Sequence, residues 1–164
     1  SPSDLIRFVE DEQEGKKSGQ TAVQVREATN ARIAEEERKA DEAYERKKVE
    51  HAKEFPYIAV LTCGMGDRHI NILACFAPSG SSRVDTELSL TLGNVGKMYK
   101  VYNLKEAGEE RRDGFYIELP SHFSLKAQNS DSTLVLGLKV VARASGQVLF
   151  QQQAAYFGVV SVSN

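Results

Sequence analysis

Two cysteines, Cys63 and Cys75, stand twelve positions apart, with the turn-forming run Gly64-Met65-Gly66-Asp67 directly after the first. Thiols so placed either join in a disulfide or pack as small apolar groups. A hairpin whose turn centres near His69 would set them opposite each other, within bonding reach. A tight turn at Gly66-Asp67 would instead set Cys63 across from Ile70 and keep the sulfurs apart. A bridge would belong to an oxidising compartment. Structural zinc needs paired Cys-x-x-Cys or Cys/His sets, which this chain lacks, so no metal and no cofactor is expected.

The other chemistry-bearing residues are sparse. His51, His69 and His122 are the only imidazoles. His69 and His122 lie near Asp67 and Ser121, but a Ser-His-Asp relay needs three side chains that converge in space. Neither G-x-S-x-G nor H-E-x-x-H occurs. Gly64-Met65-Gly66 echoes a phosphate loop without its Lys-Ser/Thr or its following helix, and a hairpin turn is the simpler reading. Glu87, Glu109 and Glu118 could supply a carboxylate pair for glycoside hydrolysis, as could acids in most sequences. Glu109 to Asp113 is expected to be a solvated mixed-charge loop. Tyr99, Tyr102, Phe115 and Tyr116 suit core or rim packing, or else a stacking platform for sugars, and the absence of Trp weakens the latter. No residue is assigned a catalytic role.

The elements that must hold these residues change character at Phe55-Pro56. Downstream, apolar positions recur with period two, clearest at Leu88, Leu90 and Leu92 and at Leu134, Leu136, Leu138 and Val140. Strands are expected over residues 57–63, 69–77, 85–93, 97–104, 114–119, 122–128, 133–143 and 147–160. Ala144-Ser145-Gly146 should turn the last pair into a hairpin. Residues 105–113 are polar enough for a loop or short helix. About eight short strands without βαβ alternation predict an antiparallel β-sandwich over 56–164, with a barrel as the alternative.

Upstream the writing is helical. Thr21 and Gln24 have capping-box form, and from Ala22 to Phe55 there is neither Gly nor Pro until Pro56 ends the run. One long charged helix is expected over 21–55, about 50 Å long at the usual rise. Glu35–Lys39 and Glu42–Arg46 have the favourable i,i+4 order. Val25, Ile33, Ala40 and Tyr44 form a small broken stripe, too weak for a confident coiled coil but able to pair weakly with a partner or a second copy. Residues 1–20 read as a short amphipathic helix over 3–14 followed by a linker.

The first 55 residues carry 25 charged side chains and the remaining 109 carry 19, for a net charge of −2 overall. No basic patch for nucleic acid stands out, and no apolar run reaches the ~20 residues of a membrane span. The chain begins at Ser1 rather than Met, which reads as a processed or trimmed product, and an upstream signal or membrane anchor is one thing that could have preceded it. These features point to a non-enzymatic binding or scaffolding module of the bacterial cell envelope, periplasmic or otherwise extracytoplasmic. It would present a β-sandwich on a helical stalk and engage a protein partner or weak homo-oligomer through the helix. The alternatives are a sandwich that binds a small ligand or glycan, and a hydrolase with a site built on loops.

Overall fold

A computed structural model describes residues 19, 21–77 and 87–164. The short helix expected over 3–14 lies outside these residues, as does most of the linker. The chain divides into two compact units, Ser1–Glu50 and His51–Asn164.

The first unit is dominated by helix α1, Ala22–Glu54, whose last turn belongs to the second. Its start is the capping box read from the sequence. The Gln24 amide donates to Thr21 Oγ1 at 3.2 Å, and the Thr21 amide donates to Gln24 Oε1 at 3.0 Å. The carboxylates of Glu35 and Glu42 do not take Lys39 and Arg46. Both turn to Arg38, which pairs with Glu35 at 2.5 Å and also with Glu42. A guanidinium offers several donors in one plane and can serve an i−3 and an i+4 acid together.

The second unit holds nine strands among its described residues. β1 (Tyr57–Gly64) is followed by a short helix α2 (Leu73–Phe76), then β2 (Leu88–Leu92), β3 (Val95–Tyr99) and a 3-10 turn over Leu104–Glu106. Next come β4 (Glu109–Arg111), β5 (Gly114–Leu119), β6 (Phe123–Gln128), β7 (Val135–Ala142), β8 (Val148–Ala154) and β9 (Val159–Ser163). They form two antiparallel sheets, β4-β5-β1-β7-β8 and β3-β2-β6-β9. The predicted sandwich architecture is therefore present.

Its core follows from alternation. Ala59, Leu61 and Cys63 of β1, Phe115, Ile117 and Leu119 of β5, and Leu136, Leu138 and Val140 of β7 are buried. So are Leu88 and Leu90 of β2 with Phe123, Leu125 and Ala127 of β6, in the same cluster. The β7–β8 hairpin turns where Ala144-Ser145-Gly146 predicts, with the Gly146 amide donating to Ala142 O at 2.8 Å and Gly146 at φ +70°.

Four expectations give way. The strand expected over 97–104 is instead β3, Val95–Tyr99, and the chain then turns into the 3-10 segment that begins at Leu104. Residues 69–77 are not a strand: 73–76 are helical, and Asn71 Oδ1 accepts the Leu73 amide at 2.9 Å in place of a ladder bond. An apolar run without period does not separate strand from buried helix. The polar gap at 105–113 contains β4, an edge strand exposed at every residue, so no apolar alternation marks it. The stretch 147–160 is two strands in different sheets, divided at Ala155–Gly158.

Candidate functional site

The most distinctive surface of the sandwich comes from a break in the β8 pattern. Val148, Leu149 and Phe150 are three consecutive apolar residues, which strict alternation cannot bury on one face. Phe150 pairs with Val140 and Val148 with Val141, so Leu149 is an extra residue opposite no partner. Such a β-bulge re-aims a side chain. Leu149 is 50% exposed and lines a groove of about 240 Å³ with Tyr57, Phe123, Phe150 and Val162. β8 ends the first sheet and β9 ends the second, so the groove lies between two sheet edges, which Gln152 bridges by accepting the Ser161 amide at 3.0 Å. The Tyr57 and Phe123 rings at its floor lie 5.9 Å apart between centroids.

The other end of the same edge carries an aromatic tip. Tyr156 and Phe157 stack with centroids 3.9 Å apart, are both more than half exposed, and Phe157 has φ +60°. A left-handed bulky residue is strained, and the surroundings must hold it. Asn129 does so. It is fully buried and uses its main chain to bind the Gly158 carbonyl and the Phe157 amide, at 2.9 and 2.8 Å. Its Nδ2 donates to Leu134 O at 2.7 Å and Ala154 O at 3.0 Å, and its Oδ1 accepts the Asp131 amide at 3.0 Å. One side chain thereby ties the β6–β7 connection to the β8–β9 turn.

Cys63 and Cys75 are joined, with Cα atoms 5.9 Å apart and both residues fully buried. The route differs from a hairpin ladder. The tight turn expected to exclude the bond is present, since the Ile70 amide donates to Cys63 O at 2.8 Å. The bond forms because α2 brings Cys75 back to β1. Gly64 is required where it stands: a Cβ there would sit 1.5 Å from the Arg68 carbonyl oxygen. That close approach accounts for the glycine as a packing requirement of the turn.

His69 seals this corner. Its side chain is 2% exposed, Nδ1 accepts the Cys63 amide at 2.9 Å, and Nε2 meets Glu110 Oε1 at 2.5 Å. Both ring nitrogens are engaged, so neither is open to a substrate proton. His122 precedes β6 beside Phe123 and Tyr57, at the opposite end of β1 from Cys63, and His51 pairs with Glu118. The three imidazoles do not converge.

The remaining candidates also scatter. Glu118 binds Arg143 at 2.7 Å as well as His51, Glu109 binds Arg111 at 3.0 Å, and Glu87 is buried. Phe115 and Tyr99 are buried, Tyr102 is exposed, and Tyr116 lies under the Arg111 guanidinium, so the four aromatics form no common platform. On α1, Val25 is already buried, Ile33 is half-buried, and Ala40 and Tyr44 are exposed. Among the described residues no group of three or more His, Cys, Asp or Glu could hold a metal, and no helix is long and apolar enough to cross a membrane.

Sequence reasoning missed Leu149, Phe157 and Asn129. The triple apolar run signalled the first, and a second Gly-terminated turn, Tyr156-Phe157-Gly158, signalled the next. Nothing local distinguishes Asn129 from any other turn asparagine. No family model, curated protein or solved structure matches the chain.

Proposed function

We propose that the chain is a non-enzymatic binding module of the bacterial cell envelope. Its sandwich receives an extended segment of a protein partner along the β8 edge and seats one large apolar side chain of that segment in the Leu149 groove. The observation that carries this reading is the bulge at Leu149. It lines an apolar groove beside β8, which among the described residues is the last strand of its sheet, and an edge and a pocket are the two parts that strand addition uses for affinity and for specificity. The buried Cys63–Cys75 disulfide is compatible with an extracytoplasmic setting. In this reading α1 is a stalk. Self-pairing through Ile33, Ala40 and Tyr44 is weak and concentration-dependent, since a few such side chains offset little more than the cost of association.

Selection of peptides from a displayed library against the full chain tests the proposal. The expected ligands are extended segments with one large apolar residue, whose amide-shift changes map to β8 and to Tyr57, Phe123 and Val162. Leu149→Asp should weaken them at least tenfold with the thermal midpoint unchanged, because Leu149 is half in solvent. Ligands that map elsewhere, or that bind Leu149→Asp equally well, would remove the proposal.

A further inference from the structure

The outer face of the five-stranded sheet, on the side of β1 and β7 away from the core, carries a second feature of different chemistry. Side chains paired across neighbouring antiparallel strands share a face. Thr62 pairs with Gly137 and Gly137 with Gln153, which makes one row. Val60 pairs with Lys139 and Lys139 with Gln151, which makes the next. Gly137 leaves the middle of the first row empty: a Cβ there would stand 2.4 Å from Thr62 Oγ1. The turn after β1, pressed onto Gly64, brings Asp67 and Arg68 to the rim. The result is a trough of about 130 Å³ lined by Thr62, Asp67, Arg68, Lys139, Gln151 and Gln153.

Among the described residues, none of these six side chains has a hydrogen bond or ion pair. Elsewhere on this face the acids are taken. Glu118 is held by Arg143 and His51, and Asp113 accepts the Tyr116 hydroxyl at 2.6 Å. Arg68 and Lys139 share the trough with Asp67, Asp113 lies near enough to Lys139 for their charges to attract, and two carboxamides and a hydroxyl stand beside them. No aromatic ring lines it, so a neutral sugar would find no stacking surface there. Cations provide charge-assisted bonds to a carboxylate, and carboxamides and a threonine hydroxyl both donate and accept, as ring hydroxyls require.

We propose that this trough binds a small polyhydroxylated acid of about one sugar ring, a uronate-type residue. Its carboxylate lies against Arg68 and Lys139, and its hydroxyls against Thr62, Gln151 and Gln153. The site is separate from the Leu149 groove and does not depend on it.

The test is titration of the full chain with glucuronate, glucose and inorganic phosphate, read by amide and carboxamide NMR shifts. Glucuronate should shift residues 62, 68, 137, 139, 151 and 153 and bind at least tenfold tighter than glucose. Arg68→Gln with Lys139→Gln should weaken it at least tenfold, and both positions are polar enough to leave the fold intact, which the unchanged remainder of the spectrum would show. Gln151→Leu with Gln153→Leu should weaken glucuronate while leaving phosphate unchanged. The proposal is overturned by no localised shifts with millimolar glucuronate, by glucose binding as tightly, or by binding that survives the loss of both cations. Phosphate binding as tightly as glucuronate and by the same residues would also overturn it, since the hydroxyl contacts would then contribute nothing.

Discussion

The main-chain amide of Cys63 donates to Nδ1 of His69, 2.9 Å away, and this bond fixes the imidazole's tautomer. With Nδ1 as acceptor, the proton resides on Nε2, which donates to Glu110. The histidine thus connects the central strand β1 to the edge strand β4 through the residue that also carries the disulfide. Replacing it strands a buried amide. His69→Ala should lower unfolding free energy by about 2–4 kcal/mol, the usual cost of an unsatisfied buried group plus a cavity. Glu110→Gln keeps an acceptor and should cost only about 1 kcal/mol. Urea unfolding of both variants checks the order, and equal losses would contradict the assigned tautomer and direction.

The disulfide closes a loop of modest length, so its contribution is that of restricted unfolded chain. Replacing both Cys63 and Cys75 by Ala should cost about 2–4 kcal/mol. The chain should still fold, because its core is drawn from both sheets rather than from this corner. Denaturant midpoints with and without reductant provide the measurement, and reductant should not move the midpoint of the double variant.

Asn129 is a fully buried polar side chain with all its bonds to the main chain. Asn129→Ala leaves the carbonyls of Leu134 and Ala154 and the amide of Asp131 without their partner. A loss of about 2–4 kcal/mol is expected, with the first protection lost in hydrogen exchange at Phe157 and Gly158. Asn129→Asp has the right shape but no side-chain donor, and should destabilise comparably.

The pH dependence has two edges. The Thr133 and Leu134 amides donate to Asp131 and hold its carboxyl below the ordinary range. A depressed folded value means stability that is present above the unfolded value and lost as pH falls through the folded one, hence below about pH 4. Asp131→Asn should therefore flatten the acid limb of stability against pH. At the other end, donation to Asp113 raises the Tyr116 hydroxyl above its ordinary value. That stability is present below the unfolded value and lost above about pH 10, and Tyr116→Phe should remove this loss.

The boundary between helix and sandwich falls before the composition change at Pro56. Arg143 Nε donates to Phe55 O at 2.7 Å, and His51 pairs with Glu118. A fragment beginning at His51 should be more stable than one beginning at Tyr57 by about 1–2 kcal/mol. Equal thermal midpoints would show that the last helical turn adds nothing.

How much of this was legible in residue order depends on what each element buries. β5 coincides with its expected limits, and β6 and β7 fall within one or two residues of theirs, because each alternates between core and solvent. β4 was invisible, since an edge strand with two solvated faces needs no apolar period. The helix at 73–76 was misread because a run buried by a disulfide and a short turn has no period at all. The groove was half legible: Val148-Leu149-Phe150 announces an irregularity, but only the pairing of Phe150 with Val140 and Val148 with Val141 tells which residue is expelled. Asn129 and the polar trough depend on contacts between strands distant in sequence, which composition does not encode.

The bulge at Leu149 also bears on solubility. A straight unpaired edge can accept another copy of itself, and each addition presents a fresh edge, which is how fibres grow. At Leu149 the spacing of donors and acceptors along β8 slips by one residue. A regular strand paired with residues 151–153 would arrive out of phase at Val148. Copies of this chain meeting edge to edge would inherit that mismatch at every junction, so the irregularity works against runaway polymerisation.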